Sequence, residues 1–326
     1  MHCRNYLTYN ICMKNTKNLL STLLLILAVF SLLAVVFLYG KGVLQDRYSQ
    51  KLLADLRPDT EETITPTESV EPETDNPTET NATEETADMS ATESTDKFAD
   101  MTETQSADET AETQETEPSV TLVENPYQES YLANSDMAGW LQIPGTIIDY
   151  PVMWTPGDEN YYLYRAFDGS DNKNGCLLLD TDSSLDPLTT KLIIHGHNMR
   201  SGEMFGNLTD YEDREYYEAH KQIILYTEEC QRNYEVVAVF RSQVYKKTDQ
   251  VFKFYKFFQA DTPAEFDDFY ENIKALSLYD TGVTAEFGDH FITLSTCVYH
   301  VEQGRFVVVA KEVEPGDYYL PVSKQQ

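Results

Sequence analysis

Residues 291–297, FITLSTC, form an apolar, β-branched run that ends in the thiol of Cys297. After a short loop, residues 305–309, RFVVV, form a second run of the same kind, which opens with Arg305. Such runs are typical of β-strands. If the two runs pair as a hairpin, Cys297 leaves one strand where Arg305 enters the next. The sequence therefore predicts a thiol and a fixed cation at one end of a sheet.

The candidate catalytic group is completed by His197, far upstream of the hairpin. A thiolate is the nucleophilic form of cysteine, an imidazole can carry the proton that is released, and a guanidinium can stabilise a developing oxyanion. We assign these roles to Cys297, His197 and Arg305. His300 competes as a base because it lies in the loop after Cys297. Three other arginines compete as the cation, but none follows the cysteine on a paired strand: Arg165, Arg200 and Arg241.

The rest of the folded region reads as many short strands. Further β-runs occupy residues 139–143, 146–152, 176–179, 191–194, 222–226 and 234–244. Turn sequences rich in Pro, Gly and Asn separate them. We therefore predict a mainly β protein with a closed or nearly closed barrel, rather than a parallel α/β sheet.

Helical insertions interrupt these strands. Residues 126–134 predict a short helix, and residues 203–208 and 211–220 predict a helical patch after the histidine. The clearest signal is the capping box at residues 262–265, TPAE, with proline at the first helical position. The residues that follow at helical spacing predict an apolar face of ordinary core packing: Phe266, Phe269, Tyr270, Ile273 and Leu276.

The N-terminal region predicts a membrane anchor. Residues 19–39 are uncharged and, at a rise of about 1.5 Å per residue, long enough to cross a bilayer as a helix. Residues 1–18 would then be cytoplasmic, since their charged residues are basic, and residues 40–58 would be juxtamembrane. The alternative is a cleaved signal peptide, although no clear small-residue cleavage site follows the run.

Residues 59–120 are rich in Thr, Glu, Asp and Ala, with Lys97 as their single basic residue and Phe98 as their single aromatic. Such a composition buries too little apolar surface to offset the entropy of ordering, so we predict a disordered acidic stalk. A flexible chain of this length has an end-to-end distance of roughly 45 Å. The alternative is a linker that serves only solubility.

Residues 121–326 are long enough for one domain with a sizeable core. The whole chain carries a net charge of −31, and acidic residues still outnumber basic ones within this region. Nucleic-acid partners are excluded on this ground, because phosphates need a positive surface. Cys176, Cys230 and Cys297 do not make a disulfide framework, although a Cys176–Cys230 pair stays open.

Taken together, these segments resemble class B sortases over nearly all of residues 125–315, in that family's order. The histidine segment is His197-Asn198-Met199 with residues 204–208, MFGNL; the cysteine segment is residues 293–297, TLSTC; the arginine strand follows from Arg305. Residues 161–169 and 175–180 also fit the class.

The resemblance implies an eight-stranded sortase β-barrel with helical insertions, on the outer face of a Gram-positive membrane. It also implies a cysteine transpeptidase that cleaves a sorting motif near the C-terminus of surface proteins and transfers the acyl group to an amine of the peptidoglycan precursor. No cofactor and no metal are expected. Substrate-binding candidates by position are Ser295, Leu163, Phe252 and His195.

The sequence departs from the class pattern beside the cysteine. The loop at residues 298–304 is slightly shorter than usual, and Val298 replaces a frequent acidic residue. Both changes concern the sorting motif more than the chemistry. Two other functions stay open: another cell-wall cysteine peptidase, which would usually place Cys before His, and a non-catalytic surface-displayed binding module, which would not depend on Cys297. A metal site at His195 and His197 is a third alternative, but the usual ligand spacings are absent.

Overall fold

The computed structural model describes residues 2–58, 122–314 and 316–322. Within these ranges the helices are α1 (His2–Leu56), α2 (Gln128–Ala133), α3 (Arg214–Ala219) and α4 (Pro263–Leu276). The strands are β1 (Leu122–Val123), β2 (Met137–Gln142), β3 (Asp149–Met153), β4 (Leu177–Leu179), β5 (Lys191–Gly196), β6 (Gln222–Tyr226), β7 (Gln231–Gln243), β8 (Phe291–Cys297), β9 (Gly304–Glu312) and β10 (Tyr318–Tyr319).

Eight of these strands close into a barrel in the order β2-β3-β4-β5-β8-β9-β7-β6, and β6 pairs back with β2. The β3-β4 and β5-β8 pairs are parallel, and the other pairs are antiparallel. Closure leaves no unpaired strand edge around the barrel. The predicted eight-stranded barrel is therefore confirmed.

Alternation along the strands separates the inside of the barrel from the outside. Leu294 of β8 and Phe306 of β9 belong to the cluster that fills the barrel. Phe291, Val307 and the apolar face of α4 form a second cluster against the outer surface. Because side chains alternate between the faces of a strand, Ser295, Cys297 and Arg305 lie on the outer face with that second cluster.

The structure corrects several of the predicted elements. Residues 203–207 form turns rather than a helix, since Gly202 (φ 85°) and Met204 (φ 54°) have left-handed backbones. Leu276 ends α4 and is exposed, so the apolar face of that helix stops at Ile273. The capping box at Thr262 forms as expected. Cys176 and Cys230 are buried free thiols, so the possible disulfide does not form.

The N-terminal helix is longer than the predicted span. Its residues 23–56 contain an apolar window with a mean hydropathy of 2.8, which makes α1 a candidate for crossing a membrane by length and composition alone. The predicted boundary at residue 39 lies within the helix, and the juxtamembrane residues continue it to Leu56. The predicted acidic stalk, residues 59–120, lies outside the described residues.

Candidate active site

Cys297 and Arg305 face each other at the end of the β8-β9 hairpin. They are direct cross-strand partners in the antiparallel register. Directly opposed residues of such strands place their Cβ atoms about 4.5–5.5 Å apart. The thiol is exposed at the last position of its strand, and Arg305 is half-buried. The predicted hairpin thus brings a thiol and a guanidinium to one point on the outer surface of the barrel.

His197 comes to the same end of the barrel from the neighbouring strand. β5 runs parallel to β8, and Gly196 lies opposite Thr296. The residues that follow them, His197 and Cys297, are therefore neighbours at the ends of the two strands. Two hydrogen bonds hold the segments together beyond the strand ladder: Thr296 Oγ1 donates to the Gly196 carbonyl at 2.7 Å, and Asn198 Nδ2 donates to the Cys297 carbonyl at 2.9 Å. The loop after β5 is therefore fixed to the backbone of the cysteine itself.

The imidazole of His197 is held on its other side by residues 163 and 164. Its Nε2 lies 2.9 Å from the Leu163 carbonyl oxygen, and its ring packs against Tyr164 at 5.3 Å between ring centroids. A carbonyl oxygen only accepts hydrogen bonds, so Nε2 carries a proton. In the neutral ring, Nδ1 is then the nitrogen that can take up another proton.

Arg305 is positioned by the loop that joins the two strands. Val298 N–H donates to the Gly304 carbonyl at 3.1 Å and closes the loop. Arg305 Nη1 donates to the carbonyls of Gln303 at 3.3 Å and Gly304 at 3.0 Å. Gln303 adopts a left-handed backbone, with φ at 57°. These contacts use one nitrogen of the guanidinium to orient the group, and its planar fork carries further N–H donors.

Ser295 of β8 and His195 of β5 are cross-strand partners. Each lies two residues before Cys297 or His197, and therefore on the same outer face. Ser295 is 2 % exposed, and its hydroxyl has no hydrogen-bond partner within the described residues. The ring of His195 contacts Asp180 at 3.0 Å. Burial alone would raise the pKa of Asp180, but the hydrogen bonds from His195 and from the N–H of Asp182 hold it below its usual value. Asp180 is thus a carboxylate that orients His195.

The other two predicted substrate-binding residues differ in their surroundings. Leu163 lies beside His197 and supplies the carbonyl that holds it. Phe252 packs in the aromatic cluster under α4, 6.2 Å from Phe269 between ring centroids. Its packing partners include this cluster, and its role in substrate binding stays a prediction. No role was predicted for Asn198 or Tyr164, although both belong to segments that carry the resemblance.

Two of the competing arginines have other partners. Arg165 stacks on Tyr161 at 4.2 Å, and Arg241 forms an ion pair with Glu212. His300 is exposed in the hairpin loop, where its ring lies against Gly304. Burial, with the nearby Asp168 carboxylate, raises the pKa of the Cys176 thiol to about 12, so that cysteine is no nucleophile at neutral pH. Of Cys176, Cys230 and Cys297, only Cys297 is exposed.

Comparison with known proteins finds a family model and relatives that match the barrel region. A family model for the sortase domain matches residues 141–313. The chain is 35% identical over 182 residues to Sortase B of Listeria monocytogenes serovar 1/2a, a match that covers 55% of this chain and 71% of that protein. It is 29% identical over 187 residues to Sortase B of Staphylococcus aureus, covering 56% and 72% respectively.

Solved structures agree with these matches. Sortase B from Bacillus anthracis, in complex with AAEK1, has a TM-score of 0.52 at 28% identity and covers 60% of this chain and 90% of that one. A Staphylococcus aureus sortase B-substrate complex has a TM-score of 0.53 at 26% identity and covers 59% and 87%. With the barrel, the cysteine hairpin and the histidine loop in place, this chain belongs to the sortase family of cysteine transpeptidases, in class B.

Proposed function

We propose that this sortase cleaves a sorting motif near the C-terminus of surface proteins through a thioester on Cys297 and transfers the acyl group to an amine of the peptidoglycan precursor. The observation that carries the proposal is the direct cross-strand pairing of Cys297 with Arg305, beside the loop that holds His197. A nucleophile, a proton carrier and an oxyanion donor at one point are the groups that acyl transfer needs.

Acylation follows from these three groups. The Cys297 thiolate attacks the scissile carbonyl carbon, and the carbonyl π pair moves to oxygen. The guanidinium of Arg305 stays charged at any relevant pH and stabilises this oxyanion. As the intermediate collapses, the C–N bond breaks and the protonated His197 delivers its proton to the departing amine. The product is a thioester on Cys297 and a free amine.

Deacylation uses the same three groups, with an incoming amine as the nucleophile and the Cys297 thiolate as the leaving group. An incoming amine attacks the thioester carbonyl, His197 accepts the proton of that amine, and Arg305 again stabilises the oxyanion. Collapse breaks the C–S bond, forms a new amide and regenerates the thiolate. The net reaction exchanges one amine for another on the same acyl group.

Recognition of the motif is assigned to the outer face around the cysteine. The buried, unpartnered hydroxyl of Ser295 offers a hydrogen bond beside Cys297, and Leu163 and His195 border the same point. The similarity to the Staphylococcus aureus sortase B-substrate complex supports a substrate-binding role for this surface.

The same proposal includes a location. Sortases are membrane-associated, and α1 supplies an apolar segment of sufficient length. Basic residues before the span favour a cytoplasmic N-terminus and an extracellular barrel.

Turnover of a sorting-motif peptide library by the full-length protein, with and without candidate amines, tests the proposal. We expect Cys297→Ala to abolish cleavage, and His197→Ala and Arg305→Ala to reduce kcat/KM by orders of magnitude. The matched control is Cys176→Ala, which removes a buried thiol and keeps activity. Unchanged cleavage by the Cys297→Ala protein would refute the assignment and favour a role independent of this thiol.

A further inference from the structure

The part of α1 that follows the apolar span is packed against the catalytic domain. Its less exposed positions recur at helical spacing, at residues 42, 43, 45, 46, 49, 52, 53 and 56. Ser49 is 6 % exposed, and Leu52, Leu53 and Leu56 pack against the two apolar clusters of the barrel that include Phe205 and Tyr162. This stripe is the docking face of α1.

Polar contacts join the docking face to the loop at residues 168–173. Tyr48 Oη donates to Asp168 Oδ2 at 2.8 Å, and Asn172 Nδ2 donates to Ser49 Oγ at 2.8 Å. Asp46 pairs with Lys173 at 2.9 Å. This loop follows closely on Leu163 and Tyr164, the two residues that hold His197. Asn172 N–H also donates to the Tyr164 carbonyl at 2.9 Å, so the helix contacts a loop that is bonded to the neighbour of His197.

The C-terminal end of α1 meets the point where the chain enters the barrel. Ser130 of α2 donates its hydroxyl to the Leu56 carbonyl at 3.2 Å, across 74 positions of sequence. Arg57 forms an ion pair with Asp149 of β3 at 2.6 Å. The described chain thus leaves this surface after Pro58 and returns to it before α2. Leu56 and Tyr127, described residues before and after the acidic segment, pack in the same apolar cluster.

We propose that residues 42–57, the end of α1 together with Arg57, are an integral wall of the catalytic domain, and that the acidic segment does not set the spacing between membrane and barrel. The distance between span and barrel is then set by the helix. From Tyr39, the end of the predicted span, to Gln45, where polar contacts with the barrel begin, six residues of helix rise only about 9 Å. The barrel is held close to the end of the span, whatever the length of the acidic segment.

Cleavage of the acidic segment tests this directly. A full-length chain with an N-terminal tag and a protease site inserted near residue 90 is purified in detergent and cut to completion. At a protein concentration of about 10 µM, a Kd of about 1 µM or lower between the two fragments keeps most of them paired. We expect the barrel fragment to be retained with the tagged helix. Its release on cutting would overturn the proposal, whereas loss of sortase activity alone would bear only on the proposed function.

Variants of the helix separate the docking face from the rest of α1. Leu52→Asp with Leu56→Asp places two carboxylates in the packed stripe, and we expect the cut barrel fragment to be released. The matched control is Ala54→Asp, on the exposed side of the same turns, which keeps the fragment bound. A thermal melt of each uncut protein reports whether the barrel is folded. Equal retention by all three proteins would contradict the assigned face.

Discussion

At the scale of single residues, His197, the proposed proton carrier, is held more firmly than its sequence motif indicates. Its Nε2 is bound to the Leu163 carbonyl, its ring packs on Tyr164, and the next residue, Asn198, is tied to the backbone of Cys297. These three contacts restrict the imidazole before substrate binds. Such restriction lowers the cost of placing a proton carrier at the reacting atoms.

We therefore expect Tyr164 to act as a positioning residue, so that its replacement affects turnover more than binding. An aromatic pair contributes about 0.5–1.5 kcal/mol beyond buried area, so we expect Tyr164→Ala to lower kcat roughly 2- to 10-fold with little change in KM. Tyr164→Phe keeps the ring and should restore the rate. Steady-state kinetics with one peptide check this. A loss confined to KM, or a Phe variant as slow as Ala, would contradict the role.

Residue chemistry could be predicted from sequence only where the type of side chain itself signals the reaction. The pairing of Cys297 with Arg305 could be predicted from the two β-runs, and their roles with His197 stay a proposal based on the groups that acyl transfer uses. Tyr164 and the carbonyl of Leu163 could not be predicted, because their roles depend on which backbone atoms come within reach. Phe252 was selected by position alone, and its packing under α4 is decided by the long insertion after β7.

At the scale of elements, the insertion between β7 and β8 covers the outer face of the barrel and encloses a buried lysine. Lys191 opens β5 and is fully buried beneath α4. Its Nζ donates to the Phe254 carbonyl and lies 5.1 Å from the ring centroid of Phe269 and 5.7 Å from that of Phe257. Burial lowers the pKa of this ammonium from 10.5 to about 7, although the negative charge of Asp180 acts to raise it.

The lowered pKa gives the stability of this region a defined pH dependence. Between about pH 7 and 10.5 the unfolded chain binds a proton at Lys191 that the native chain lacks, so this group adds stability as pH rises through that window. Below pH 7 the full cost of burying the charge is present. We expect Lys191→Met to stabilise the protein at pH 6 by about 1–4 kcal/mol, with the advantage shrinking at pH 9.

Thermal unfolding at pH 6 and pH 9 measures this effect. Lys256→Met is the matched control, because it removes an exposed lysine of the same insertion and should change the unfolding temperature little at either pH. A Lys191→Met protein that is less stable at pH 6, or whose difference from the natural chain grows toward pH 9, would contradict the assignment of a destabilising buried charge.

Element boundaries could be predicted where local signals agree. The capping box begins α4 at the expected position, and β6 has its predicted bounds. The helix predicted at residues 203–208 does not form, because the left-handed backbones at Gly202 and Met204 turn the chain under the barrel and bury Phe205. Hydrophobic spacing alone does not report such a turn.

At the scale of the whole molecule, barrel closure explains how distant segments form one site. β5 and β8 are neighbours although nearly a hundred residues separate them, and β9 completes the group through its hairpin. The barrel could be predicted from its short strands and family motifs. The docking of α1 could not, because its packed stripe is recognisable only once the surface that it meets is known.

The central claim is that one sulfur atom carries the acyl group between two amines. Acid quenching of the full-length enzyme during turnover of a sorting-motif peptide, followed by peptide mapping with mass spectrometry, tests it most directly. We predict a thioester on Cys297 that accumulates without an acceptor amine and disappears when one is added. Turnover with no covalent adduct, or an adduct on a residue other than Cys297, would contradict it.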